Sequence, residues 1–155
     1  MDFYILAKSI ACLFLSLSSP TTLVFQEPIE YVSAGKNGDF VLNRSNNQKI
    51  LVIQPRKDIG ETSMVVITKD QHFQFKVKTV DKGHHAFVYV YPGMVNKTFI
   101  KKMDTSVYRI LEGDTSILVQ NKRDVPLRVN GKQVKREEHF SKGVPLFIND
   151  QRVLN

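Results

Sequence analysis

From Thr22 to Val80 the chain is a succession of short runs of β-branched and aromatic residues, separated by turn residues, with no sustained helical period. The pattern predicts strands over Thr22–Phe25, Ile29–Ala34, Phe40–Asn43, Ile50–Gln54, Ser63–Thr68 and His72–Val80. Glu27-Pro28, the stretch 35–39, Ser45-Asn46-Asn47 and the stretch 55–60 supply the breaks, and Lys69-Asp70-Gln71 has the length of a hairpin connection. Alternation is clearest at 72–78, where Phe73, Phe75 and Val77 share one face and His72, Gln74, Lys76 and Lys78 the other. Ile50–Ile53 and Met64–Ile67 are continuous apolar runs, the pattern of central strands covered on both faces. Two packed sheets accommodate both patterns.

Beyond residue 85 the strand signal resumes over 86–91, ends at Pro92-Gly93, and returns at Val107–Leu111 and Thr115–Gln120. Between these, Val95, Phe99 and Met103 are spaced four apart, which predicts a short helix within 94–105. The tail contains an echo: Val125 to Val134 and Val144 to Val153 each read as a strand, an Asn-led two-residue turn and a returning strand. Asn-Gly at 130–131 is the strongest such turn signal, because both positions of a type I′ turn require positive φ. Two similar hairpins in one sheet are expected, with the choice between true duplication and convergent hairpin chemistry left open.

The first segment changes the picture of where the chain works. Ile10 to Leu17 is apolar, follows Lys8 and precedes Ser18-Ser19-Pro20. It is shorter than the roughly 20 apolar residues that cross a bilayer and fits the apolar region of a secretory signal, so residues 1–19 are expected to be a cleaved export signal. Asp2 and the Ser16-Leu17-Ser18 cleavage site depart from the usual pattern. Cys12 is the sole cysteine and lies inside this segment, without the flanking residues of a lipidation site. Its removal would leave no thiol for a disulfide or a thiolate metal site.

Composition is that of a folded domain: 42% hydrophobic and 24% charged residues exclude wholesale disorder, and 155 residues exclude a large multidomain enzyme. The net charge of +7 is dispersed among acids with no block of like charge, so no direct nucleic-acid partner is expected, although a basic exterior suits anionic lipid or acidic proteins. His84 and His85 are adjacent on an extended segment, point to opposite faces, and are expected in an exposed turn. His72 and His139 lack ligand-spaced partners. Asp58, Glu61, Asp70, Asp81, Asp104, Glu112 and Asp114 fall in predicted turns, where solvation opposes the raised pKa of an acid–base pair. Glu137-Glu138-His139 stands alone, and Asn43-Arg44-Ser45 and Asn96-Lys97-Thr98 match the glycosylation tripeptide. Nucleophile-elbow, phosphate-loop, dinucleotide and zincin motifs are absent. No catalytic, cofactor-binding or metal-binding residue is therefore assigned, no cofactor is expected, and the chain reads as a non-enzyme.

Taken in order, the stretches 22–35, 50–57, 61–68 and 73–77 resemble the amino-terminal β-sandwich of the TrbG/CagX family, outer-membrane core components of type IV secretion and conjugation machines. The correspondence rests on Pro28-Ile29 with Val32 and Gly35, on Leu51 with Pro55, on Thr62-Ser63-Met64 with Val66 and Thr68, and on Phe73-Gln74-Phe75. It spans residues 22–78; Ser63-Met64 stands where the family has Asn-Leu, and the chain after about residue 85 does not resemble the family's second domain. Secretin amino-terminal domains and TraK-like conjugation proteins share this strand grammar. The expected fold is all-β: a β-sandwich over 20–82 and a smaller β-rich module with hairpins over 84–155. The resemblance implies a periplasmic structural subunit, peripheral to the outer membrane, that joins other secretion-complex subunits in a ring-forming oligomer. The alternative is a free-standing periplasmic binding or inhibitor module.

Overall fold

The computed structural model describes residues 1–155. It is all-β, with seventeen strands and no helix. The first nine are β1 (Asp2–Ile5), β2 (Ile10–Leu15), β3 (Thr21–Phe25), β4 (Ile29–Ala34), β5 (Phe40–Arg44), β6 (Ile50–Pro55), β7 (Glu61–Thr68), β8 (His72–Thr79) and β9 (Phe87–Pro92). The remainder are β10 (Ile100–Asp104), β11 (Tyr108–Glu112), β12 (Ser116–Asn121), β13 (Leu127–Val129), β14 (Lys132–Val134), β15 (Glu137–Ser141), β16 (Leu146–Ile148) and β17 (Gln151–Leu154).

The chain divides into two compact units, one of Met1–Phe3 with Ile10–Pro92 and one of Tyr4–Ser9 with Gly93–Asn155. The first unit stacks a five-stranded sheet, β1-β9-β3-β6-β5, on a four-stranded sheet, β2-β8-β7-β4. The alternation at 72–78 is realised: Phe73, Phe75 and Val77 are buried while His72, Gln74, Lys76 and Lys78 are exposed. Phe73 meets Phe25 of the other sheet at 5.5 Å between ring centres, so aromatic packing joins the two layers. The hairpin over 69–71 closes through Thr68 N–H donating to the Gln71 carbonyl (2.9 Å).

The sequence pattern and the structure differ at three places in this unit. Ile50–Ile53 and Met64–Ile67 lie in interior strands, as expected, but are covered on one face only: Leu51, Ile53, Met64 and Val66 are buried, whereas Ile50, Val52, Val65 and Ile67 are half-buried. The unit runs past residue 82 to Pro92, because β9 inserts beside β3 in parallel register with Leu23 opposite Val88. The segment read as an export signal forms two strands here. β2 lies parallel to β8 along its whole length, from Ile10 opposite Gln74 to Leu15 opposite Thr79, and Phe3, Ala11, Leu13 and Leu15 are fully buried. A continuous apolar run fits a signal and a buried strand equally well, so its composition alone does not separate them. Both strands occupy sheet edges.

The second unit also packs two four-stranded sheets, β10-β11-β12-β15 and β14-β13-β16-β17. Its core draws Ile110, Ile117, Val119 and Phe140 from one sheet and Leu127, Val129, Val134, Leu146 and Ile148 from the other. The helix expected within 94–105 is instead a loop followed by β10, which pairs antiparallel with β11 through a register shift between Lys101 and Met103. Of the three residues at four-residue spacing, Met103 is half-buried against the core of this unit from its place on β10, Phe99 is half-buried and Val95 is exposed, so they do not form one buried helical face. Glu137-Glu138-His139, uninterpreted in the sequence, begins β15.

The echoed hairpins share one sheet and meet through β13 and β16, where Val129 lies opposite Ile148. Asn130 and Gly131 have φ of 48° and 79°, and Asn149 and Asp150 have 49° and 66°, the positive pair that a type I′ turn demands. Each turn asparagine also serves the other hairpin. Asn130 N–H donates to the Phe147 carbonyl (2.9 Å) while its Oδ1 accepts from Phe147 N–H (2.8 Å). Asn149 N–H donates to the Arg128 carbonyl (2.9 Å) while its Oδ1 accepts from Arg128 N–H (3.3 Å). Asparagine is thus selected twice over, for its tolerance of left-handed backbone and for a side chain that continues the ladder where these three-residue strands end.

Candidate functional site

The residues that carry chemistry in the sequence are placed apart, and most have structural work. His85 is the exception to its expectation: only 2% exposed, it is a core residue of the first unit. Its ring stacks on Phe14 (5.2 Å, 17°) and takes the edge of Phe3 (5.2 Å, 85°), and its Nδ1 accepts Phe14 N–H at 2.9 Å. An accepting Nδ1 places the ring proton of the neutral imidazole on Nε2. His85 N–H donates to the Phe14 carbonyl (2.8 Å), and Thr21 Oγ1 donates to the His85 carbonyl. The residue therefore clasps β2 to the chain entering β9. His84 is half-buried and His72 is exposed on β8. His139 stands opposite Leu118 on β15, 5.7 Å from the Phe99 ring.

Among the carboxylates, Asp104 is held below its usual range by a hydrogen bond from Lys122 (2.6 Å), with Arg109 and Lys101 adding to the effect against a small desolvation. Glu112 is pushed up by partial burial, but the Lys102 and Lys142 ammoniums, each 3.1 Å away, outweigh this and leave it lowered. Glu27 is raised, first by desolvation and then by the neighbouring Asp70 carboxyl, with Lys69 opposing. Glu27 and Asp70 lie in turns of the first unit, half-buried and exposed, without the enclosure that an acid–base pair uses. No group of three His, Cys, Asp or Glu side chains stands close enough to hold a metal ion. Asn96 of one glycosylation tripeptide is tied down by Thr115 N–H and Ser116 Oγ, both 2.9 Å from its Oδ1, whereas Asn43 of the other is exposed on β5.

The feature that stands out is a sheet face. In β9, Val88 and Val90 point into the core at 0% and 1% exposure, which turns Phe87, Tyr89 and Tyr91 outward. Phe87 and Tyr89 are 46% and 41% exposed, and the rings form a row at 5.2 Å and then 6.5 Å between centres. Register extends the face across the sheet: Thr22 lies opposite Phe87 and Val24 opposite Tyr89, then Val52 opposite Thr22 and Ile50 opposite Val24 on β6, then Asn43 opposite Val52 and Val41 opposite Gln54 on β5. These positions on β9, β3, β6 and β5 carry no charge, and β1, the edge strand beside β9, turns the exposed Asp2 to the same side. The outer face of the other sheet differs in kind, carrying His72, Gln74, Lys76 and Lys78 on β8 and a Lys76–Glu61 ion pair at 3.2 Å. The two outer faces therefore differ, one aromatic and nearly free of charge and the other polar; aromatic rings offer large area at low entropic cost, and few charges means little desolvation if such a face is covered.

The sequence announced β9 as a strand but not which of its two apolar phases faces outward, because Phe-Val-Tyr-Val-Tyr is hydrophobic in both. The structure turns Val88 and Val90 inward at 0% and 1% exposure, which leaves the aromatic phase outside. The sequence matches no protein-family model and no curated protein.

Proposed function

We propose that this chain is a non-catalytic structural subunit of an envelope-spanning type IV secretion or conjugation complex, exported to the periplasm and peripheral to the outer membrane. The observation that carries the reading is the uncharged row of Phe87, Tyr89 and Tyr91 with Val24, Ile50 and Val52 beside it, a surface suited to a protein partner. The stretches that resemble the TrbG/CagX family fall on β3, β4, β6, β7 and β8, all within the first unit, so the likeness follows one folding unit.

Export would remove β1 and β2, and both are edge strands. Their loss leaves β9-β3-β6-β5 and β8-β7-β4 as two sheets and opens the β8 and β9 edges to strands of neighbouring subunits. Side-by-side pairing of this heterologous kind closes into a ring when the rotation allows. A free-standing binding or inhibitor module would use the same aromatic face on a single soluble partner and remain monomeric.

Size-exclusion of an envelope extract combined with intact-mass measurement tests the proposal. It expects the protein in a large multi-subunit assembly with the first residues, up to about position 19, removed. Elution as a monomer bound to one soluble protein favours the inhibitor reading. A cytosolic protein that retains Met1 refutes export altogether.

A further inference from the structure

We propose that the cleft lined by Lys122, Arg123, Asp124, Lys135 and Arg136 in the second unit is a binding site for a phosphate group. In sequence these cations are two separate pairs, thirteen residues apart and unremarkable in a dispersed basic chain. The fold brings them around one cleft of about 410 Å³ that also touches Asn121 and Pro126.

Asn121, the last residue of β12, builds that cleft. Its backbone N–H donates to the Arg136 carbonyl at 2.7 Å. Its Nδ2 donates to the carbonyls of Val125 (2.8 Å), Val134 (3.1 Å) and Lys135 (3.2 Å), while its Oδ1 accepts Arg123 N–H (3.0 Å). One amide therefore knits the loop after β12 to the turn after β14, and the cations are held by backbone ties at their base. Such preorganisation reduces the ordering that a ligand would otherwise have to supply.

The charges in the cleft are not matched. Lys122 is turned to Asp104 (2.6 Å) and the Thr105 carbonyl (2.8 Å), whereas Arg123, Lys135 and Arg136 make no ion pair. Asp124 is the one carboxylate in the lining. Elsewhere in the unit Lys102 and Lys142 share Glu112, and Lys132 meets Glu138. Three unpaired cations line one cleft, and like charges closer than the screening length of about 10 Å at moderate salt repel one another. An incoming dianion relieves that repulsion where a single carboxylate relieves it only in part. Two guanidinium forks with an ammonium also supply the geometry that phosphate oxygens accept. The phosphate could be free, on a small soluble molecule, or the headgroup of a lipid; exposed Val125 beside the cleft suits the latter.

The test is titration of inorganic phosphate into the full chain, followed by amide resonance shifts at constant ionic strength, with acetate as the comparison anion. Vesicles containing phosphatidic acid, against phosphatidylcholine alone, form the second arm. Shifts confined to 121–126 and 134–136, larger for phosphate than for acetate, support the site, and Arg123→Gln with Arg136→Gln should weaken it about tenfold or more. Lys36→Gln with Lys97→Gln, which removes two cations outside the cleft, should leave binding unchanged. Phosphate shifts with vesicle binding assign a lipid headgroup; phosphate shifts alone assign a soluble phosphate. The proposal is overturned if phosphate gives no localised shifts, if acetate matches it, or if the control pair loses as much affinity as the arginine pair.

Discussion

Replacing His85 tests how firmly the first fifteen residues are built into the fold. In His85→Ala the buried Phe14 N–H loses its acceptor, which costs about 1–3 kcal/mol. The ring also vanishes from between Phe14 and Phe3, leaving a cavity of the kind that makes large-to-small core substitutions cost about 2–5 kcal/mol. These two effects share one side chain and are not additive, so the expected loss is about 3–5 kcal/mol, a large part of the roughly 5–15 kcal/mol that stabilises most domains. His85→Asn should lose about half as much, because its carbonyl oxygen can stand where Nδ1 stood and keep the Phe14 N–H satisfied. Urea unfolding of the full chain, followed by linear extrapolation, measures both. A His85→Ala protein within about 1 kcal/mol of the parent would refute the clasp. The same substitution in a chain beginning at Pro20 should cost far less, because Phe3 and Phe14 are then gone.

Asp150 occupies the second position of its turn at a φ of 66°, where the sister hairpin has Gly131, so Asp150→Gly should raise stability by about 0.5–1 kcal/mol in thermal unfolding despite losing the exposed Arg128 pair. Gly113→Ala should destabilise the second unit by about 1–3 kcal/mol, because the added Cβ would meet Asn96 Oδ1 at 2.5 Å and Asn96 Cβ at 2.8 Å; differential scanning calorimetry reads the loss. Glu112 has a lowered pKa, so its ion pairs contribute fully above the unfolded value of 4.5 and are lost as pH falls through the folded value. Glu112→Gln should therefore be less stable near neutral pH and show a flatter decline in acid, measured by urea midpoints across pH.

Much of the fold was legible because its signals are local. The 72–78 alternation fixed which side of β8 is buried, and the Asn-Gly turn at 130–131 fixed a hairpin and its register. What escaped depends on partners distant in sequence. Ile10 to Leu17 has the composition of an export signal, and the pairing of its first part, Ile10–Leu15, as β2 depends on β8, some sixty residues on. Val95, Phe99 and Met103 keep helical spacing, yet β11 offers an edge to Ile100–Asp104 and the ladder prevails over a period too short to nucleate a helix. His85 looked exposed because Gly83 and His84 beside it are turn-like, while its burial is set by Phe3 and Phe14. The aromatic face and the cationic cleft were likewise hidden, since each is assembled from separate strands or loops.

The central claim is that the Phe87-Tyr89-Tyr91 face holds the subunit in a larger assembly. The measurement that tests it is size-exclusion of envelope extracts containing the parent protein or Phe87→Ser with Tyr89→Ser, two outward positions whose loss leaves the core intact. The account predicts that the parent elutes with the assembly and the folded variant elutes near the mass of a single chain. Equal elution of the two within the assembly, or elution of the parent alone as a free monomer, would contradict it.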